Sequence, residues 1–382
     1  MKLTLITCAL ICWMSADLSA QSTPQQAVDA ELARVLAATP HPESVSDFQA
    51  IPHLSARNQD TTLICWCFAT LSFLESEMKR LGLEPVRLSV MYPVHCVFLE
   101  KAKRFVATKG ESRFAPGDLF SGVMEIVQQY GAIPAASYEG LKGPATVYSH
   151  SALYAELDRF TSDIRKRGAW NEDSVLTGVR SILAKHLGTP PAHFMFKGKE
   201  QTPTSFLHEI VRLPWEEYLL VTSFTYAPFD RPVELRVPDN WAHRTNFINV
   251  PLEVFYDAFR DAVKGGYSIA FDADISESSY ERTKRFCFIP PSDCPGDSIG
   301  QAAREVRFAD GRTTDDHLMH AVSCRRFGSE DWFLAKDSWR TAFEGPNGGY
   351  MFFHSSYIRM KVLAFLVHRD GVPAVTARLS GR

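Results

Sequence analysis

Between Trp66 and Leu81 the apolar residues Trp66, Phe68, Ala69, Phe73, Leu74, Met78 and Leu81 recur at spacings of about three and four. Glu75, Glu77, Lys79 and Arg80 fall largely between them and Gly82 follows, so the stretch predicts an amphipathic helix with a glycine stop. The same reading gives an alanine-rich helix over residues 25–39 and, from His41 to Pro52, a proline-punctuated arm laid along the main domain. Further helices are predicted over residues 89–108, ending in Lys101, Lys103 and Arg104, and from Leu119 to Tyr130, where Gly131 and Pro134 stop it. Residues 145–235 are helix-rich but less regular. Pro251 to Lys264 reads as a helix ended by Gly265 and Gly266. Beyond it the segments 267–274, those bearing His317 and Asp337, 350–353 and 362–368 read as strands. Helices first and antiparallel β later is an α+β pattern of two lobes with a cleft between them.

The length of 382 residues suffices for a large core, and 45% hydrophobic with 22% charged residues is ordinary for a globular chain. Lysines and arginines number 41 against 44 acids, a formal charge of −3, with no basic block or stripe. The electrostatic footprint of a nucleic-acid or membrane-surface binder is therefore missing. Residues 1–20 stand apart: Lys2, then an apolar run from Leu3 to Met14, then small residues leading to Ala20-Gln21. This predicts a secretory signal, the run being too short for a membrane span, and so a periplasmic or secreted protein. Cleavage would leave Cys65, Cys67, Cys96, Cys287, Cys294 and Cys324 in a compartment that permits disulfides. Cys287 and Cys294, flanking a Pro-Pro-Ser-Asp turn, are the most bridgeable local pair, and no spacing reads as a structural zinc site.

Candidate chemistry begins at Cys65, in the first turn of the predicted helix. Open N–H groups and the helix dipole there favour an anion, and a thiolate is one. Gln59, six residues earlier, can aim its amide N–H at an oxyanion forming beside Cys65. Taken alone, Cys65 and Cys67 also read as two small apolar residues capping a core helix. The far end of the chain changes the reading. His317 enters a strand, Asp337 precedes Ser338-Trp339 on the next, and the three form a nucleophile–base–orienter series.

Seven ordered motifs carry a family resemblance: Gln-x5-Cys-Trp from residue 59, Phe-Leu-Glu-Ser-Glu at 73–77, Leu-Ser-Val-Met-Tyr at 88–92, Tyr-Gly-Ala-Ile-Pro at 130–134, Val-Pro-Asp-Asn-Trp at 237–241, Thr-Thr-Asp-Asp-His at 313–317 and Val-His-Arg-Asp at 367–370. From about Ser55 to its end the chain resembles papain-fold cysteine peptidases of the bleomycin hydrolase and aminopeptidase C branch, and most of all their exported bacterial members. The resemblance implies a papain-like two-lobed fold with peptide substrates, aminopeptidase action and no metal or organic cofactor. It implies Cys65, His317, Asp337 and Gln59 as the catalytic set, with His320 as the alternate base. His317 is preferred because the branch has an acid or Thr before its base and Met two places after it, as Asp316 and Met319 stand here. On one strand the two histidines point to opposite faces.

Within this resemblance the chain divides into the signal (1–20), an N-terminal helix and arm (21–54), a helical lobe with the nucleophile (55–144), an insertion (145–235) that in the branch often makes homo-oligomer contacts, a β-rich lobe (236–370) and a tail (371–382). Gly117, Asp118 and Trp339 are expected to line the substrate cleft, and the tail to lie within it with its carboxylate facing the substrate's free amine. The chain departs from the branch at four places. Asp118 stands for a second glycine, where it meets a substrate ammonium or caps a helix. Leu318 stands for a small residue, Asp337 for Asn, and Arg340, a candidate partner for Asp337, for Gly. A catalytically impaired binding protein and a thiol-dependent amidase or acyltransferase are the alternative readings.

Overall fold

The computed structural model describes residues 24–141, 146–276, 280–281, 285–290, 294 and 299–380. The expected signal over residues 1–20 lies outside them. Helices α1 (Pro24–Ala38), α2 (Cys65–Arg80), α3 (Met91–Ala107), α4 (Phe120–Tyr130), α5 (Ser151–Arg167) and α6 (Glu172–Leu187) occupy the first half. The hairpin β1 (Phe194–Phe196) and β2 (Lys199–Gln201) and the short α7 (Pro203–Phe206) follow. Next come β3 (Tyr218–Thr222), β4 (Arg231–Val233), β5 (Phe247–Asn249), α8 (Leu252–Lys264), β6 (Ile269–Ala273), β7 (Tyr280–Glu281) and β8 (Phe286–Cys287). The chain ends with α9 (Gln301–Ala309), β9 (His317–Phe327), β10 (Glu330–Lys336), β11 (Tyr350–His354), α10 (Ser355–Lys361), β12 (Val362–His368) and α11 (Pro373–Ser380).

Among the described residues ten strands form one sheet in the order β4-β5-β3-β12-β6-β9-β10-β11-β8-β7. Its pairs are antiparallel except β3 with β5 and β11 with β8. Strands β3 and β4 therefore belong to the main sheet although they fall within residues 145–235, the expected insertion. β3 reads Tyr-Leu-Leu-Val-Thr, a short apolar run that by itself fits a strand or a buried helix, and β4 is only Arg-Pro-Val, so pairing partners distant in sequence decide both.

The sheet separates two cores. On one face Leu318 of β9, Ala270 of β6 and Leu363 and Leu366 of β12 pack with α2, α3 and α4. On the other, Met319, Phe271 and Phe365 pack under Phe255 and Phe259 of α8. Neighbouring strand residues thus go to opposite cores, as the strand period requires. Almost all of α2 from Cys65 to Met78 is buried, including its expected polar positions Glu75 and Glu77. Glu75 accepts from the Leu88 backbone N–H and pairs with Arg57 and Arg87, while Glu77 pairs with Arg80. A buried carboxylate needs such partners to offset lost hydration.

The arm from Pro40 to Leu54 runs along the β-rich side. The Ile51 N–H donates to the Val322 carbonyl at 2.7 Å, and Trp332 Nε1 to that of Pro40 at 3.2 Å. The expected position of the tail is overturned for residues 373–380, and the terminal carboxylate expected to face the substrate amine lies outside the described residues. Residues 373–380 form α11, which packs on α8 with Val375 buried in the core of the face opposite α2. Arg378 pairs there with Asp230. Val375 and Val372 supply enough apolar contact to dock the segment on that face, away from the nucleophile. Cys287 and Cys294 are not joined in a disulfide.

Candidate active site

The approach to Cys65 is held in an uncommon shape. Asp60 and Leu63 both have positive φ, 52° and 55°, conformations that non-glycine residues keep only when their surroundings impose them. Here the Asp60 N–H donates to Asn58 Oδ1 at 2.7 Å and the Tyr148 N–H to Asp60 Oδ2 at 2.9 Å. Thr62 Oγ1 donates to the Gln59 carbonyl, and Tyr154 hydroxyl to that of Thr62. The loop delivers Cys65 to the start of α2, where the first amides have no partner within the helix. Cys67, two residues on, is entirely buried. Its thiol donates to the Val90 carbonyl, and burial pushes its pKa far up.

Gln59 is fully buried and fixed at both ends. Its backbone N–H donates to the Ser338 carbonyl at 2.7 Å, and its Oε1 accepts from Ser338 Oγ at 3.3 Å. Its Nε2 has no hydrogen-bond partner among the described residues. A buried amide donor without an acceptor is costly, and an oxyanion beside Cys65 would supply the acceptor.

His317 Nε2 lies 2.6 Å from Asp337 Oδ1. Burial draws the imidazole pKa down, but the Asp337 carboxylate and then the Cys65 sulfur outweigh it and hold it up at about 10. Among the described residues no acceptor meets Nδ1 in full hydrogen-bond geometry, but the Cys65 sulfur lies near enough to raise the ring's pKa. With Nε2 on Asp337, Nδ1 is the atom left for Cys65 and substrate. Burial pushes Asp337 up, but His317 and then the Trp339 backbone N–H and Arg285 bring it below the ordinary carboxylate range. Trp339 stands edge-on to the His317 ring, with centroids 5.7 Å apart, and is 38% exposed, so it covers the pair and faces solvent. His320 points the other way, with Nδ1 on Ser72 Oγ at 2.8 Å and its ring against Phe73.

Two expectations from the residue pattern are corrected. Arg340 does not meet Asp337; it is exposed and lies 3.9 Å from Glu344. The cation on Asp337 is Arg285, whose Nη2 reaches Oδ2 at 2.7 Å. No local motif marks Arg285, which stands 52 positions away in sequence. Asp118 is neither a helix cap nor open to a substrate. Leu119 is the N-cap of α4, and Asp118 is buried 3.4 Å from Arg244 Nη1.

Gly117 is needed for close approach, but by a different group from the one expected. A Cβ there would stand 1.8 Å from Asp239 Oδ2, so the neighbour is a carboxylate of this chain and not a substrate backbone. Its carbonyl and that of Ala115 accept from the buried Lys101, and Trp66 Nε1 donates to the Pro116 carbonyl at 3.1 Å. The loop is thereby tied to the nucleophile helix.

The sequence matches the Peptidase C1-like family over residues 48–380. This chain belongs to that family. It is similar to Aminopeptidase C of Listeria monocytogenes, 25% identical over 292 residues that cover 65% of this chain and 66% of the relative. It is similar also to Aminopeptidase E of Lactobacillus helveticus, 24% identical over 265 residues, covering 59% and 60%. The matched region thus spans just under two thirds of these relatives. The crystal structure of PepW from Lactobacillus rhamnosis HN001 shares the fold at a TM-score of 0.68, with 16% identity over 95% of this chain and 96% of that one. The two-lobed papain-like architecture is therefore that of the family.

Proposed function

We infer that this cysteine peptidase is an aminopeptidase, removing residues from the free amino end of peptides. The observation that carries the reading is the set of groups around Cys65: a protonated His317 on Asp337, and a buried Gln59 Nε2 with nothing to donate to. The Cys65 sulfur attacks the scissile carbonyl, and the new oxyanion accepts from the Cys65 N–H and Gln59 Nε2. His317 gives its Nδ1 proton to the leaving amine as the C–N bond breaks. The neutral ring then takes a proton from water, whose oxygen displaces the sulfur from the thioester and frees the acid.

Carboxylates beside the nucleophile support recognition of a free amine. Asp272 faces the α2 side of β6 opposite Leu318, is fully buried, and makes no hydrogen bond of full geometry on either oxygen among the described residues. Burial, then Asp315, Asp239 and the Cys65 sulfur, raises its pKa. Asp315 is likewise pushed up to about 7, by burial and then Asp239. An α-ammonium lies two bonds from the carbonyl attacked by Cys65, and its approach would favour loss of the protons that the raised pKa values keep on this acidic cluster. The exported location remains part of this reading, supported by the apolar run of residues 3–14.

The test is hydrolysis of aminoacyl fluorophores with free and acetylated amines, with Cys65→Ala as control. Turnover of the free-amine substrates alone, lost in Cys65→Ala, is the expected result. Equal cleavage of both would make the protein an endopeptidase. A panel without turnover, on protein whose Cys65 alkylates normally, would leave a binding protein.

A further inference from the structure

Behind the catalytic pair, where the arm, α2 and the ends of β9 and β10 meet, lies a cavity with about 20 Å³ of room for the centre of a water-sized particle. That accommodates one water or one monatomic ion. Arg57, Arg87, Ser72, His320 and Lys336 stand in its wall.

The hydrogen-bond directions inside it follow from donor chemistry. Lys336 Nζ donates to the Leu54 carbonyl at 2.7 Å and to Ser72 Oγ at 2.6 Å. An ammonium only donates, so Ser72 accepts and turns its own hydrogen to His320 Nδ1. His320 is therefore the Nε2–H tautomer, and that N–H is buried without a partner among the described residues. The third Lys336 N–H also lacks an acceptor among the described residues. The charges are unequal as well. Arg57, Arg87 and Lys336 face a single nearby carboxylate, Glu75, which lies 3.6 and 3.3 Å from the two arginines. Asp337 borders the cavity, but its oxygens are taken by His317, the Trp339 N–H and Arg285.

We propose that this cavity binds a small monovalent inorganic anion such as chloride, held by the Lys336 ammonium and the His320 Nε2–H in the field of Arg57 and Arg87. A water would satisfy the donors but leave two arginines and an ammonium against one carboxylate, an imbalance relieved only by deprotonating Lys336. Burial lowers Lys336 to about 7, and a bound anion keeps it an ammonium at neutral pH. The arginine side chains are 23% and 28% exposed, which gives an ion a way in from solvent. The anion bridges Lys336, the neighbour of Asp337, and His320, the two groups that already bond Ser72 of the nucleophile helix, and so acts at the junction of the lobes.

The experiment is thermal unfolding of the full chain as chloride replaces gluconate at constant ionic strength, with bromide-soaked crystals examined by anomalous scattering. Tm is expected to rise by about 2–4 °C to a plateau. A bromide peak is expected in contact with Lys336 Nζ and His320 Nε2, and Lys336→Met should lose the chloride response. A flat chloride titration with water in the cavity overturns the proposal. So does a bromide peak with a flat titration, which is binding at crystal concentration only, or an undiminished response in Lys336→Met. Should Lys336→Met not fold, the titration and the bromide peak on the wild type decide. Neither readout requires peptidase activity, so the failure of one reading leaves the other standing.

Discussion

Arg285 donates a 2.7 Å hydrogen bond to Oδ2 of Asp337, the carboxylate whose Oδ1 holds His317. Both residues are buried, and Arg285 also reaches Thr341 Oγ1 at 3.1 Å. A third group therefore governs how strongly Asp337 acts on the imidazole. Replacing Asp337 by Asn would turn an NH₂ or a neutral oxygen toward the guanidinium. Asp337→Asn is expected to cost roughly 3 kcal/mol of stability, because it leaves a buried cation without its counter-ion. Adding Arg285→Met should recover part of that loss, and a double-mutant cycle by urea denaturation measures the coupling.

The same pair sets the alkaline limit of activity. In the proposed reaction the His317 proton goes to the leaving amine, so rate is lost as pH rises through the imidazole pKa. The Asp337 carboxylate is its largest upward influence. The alkaline limb of kcat/KM should therefore move to lower pH in the Arg285→Met/Asp337→Asn variant. An unchanged limb would mean that another group controls it.

For stability, the sign differs at the two ends of the pH range. His317 is raised from its ordinary 6.5 to about 10, so its contribution is complete below 6.5 and is lost as pH rises toward 10. Asp337 is lowered from 3.8, so its contribution is complete above 3.8 and is lost as pH falls through its folded value. The pair is thus expected to stabilise the fold most between these limits. Comparing urea midpoints of the wild type and His317→Gln across pH 3–10 checks it, and the gap between them should narrow at both ends.

Removing the spare donor tests the oxyanion site. Gln59→Ala should lower kcat by about 10²–10³-fold with little change in KM, because the amide meets charge only in the transition state. Cys65→Ala should abolish turnover, a loss of at least about 10³-fold. Cys67→Ala should keep most of it, since that thiol is bonded to the Val90 carbonyl.

The terminal helix supplies a further contrast. Deleting residues 373–382 removes the buried Val375 and the Arg378–Asp230 pair from α8. Tm should fall, while the preference for free over acetylated amines stays as it was. A loss of that preference with little change in Tm would place the tail in the cleft instead.

The local features of the sequence went far. The three- and four-residue spacing from Trp66 onward marks α2, and Gly131 and Gly265 follow the ends of α4 and α8. Those signals are short-range, because helix periodicity and stop residues act within a turn or two. Residue type and order nominated Cys65, Gln59 and Asp337, the family resemblance chose His317 over His320, and the fold brings His317 onto Asp337 and Ser338 onto Gln59. The opposite facing of His317 and His320 follows from the strand period and needed no tertiary information.

Tertiary structure alone decided which groups meet across the fold. Arg340 is three residues from Asp337 and Arg285 is 52 away, yet the distant arginine makes the pair. Glu75 and Glu77 occupy the polar side of α2, and the second layer that buries them is invisible to periodicity. Asp118 was legible as an acid but not as one buried under Arg244, and the tail showed neither its helix nor its docking face. The physical reason is common to all of these. Backbone preferences are set by neighbours in sequence, whereas ion pairing and burial depend on distance in space, which exists only once the chain has folded.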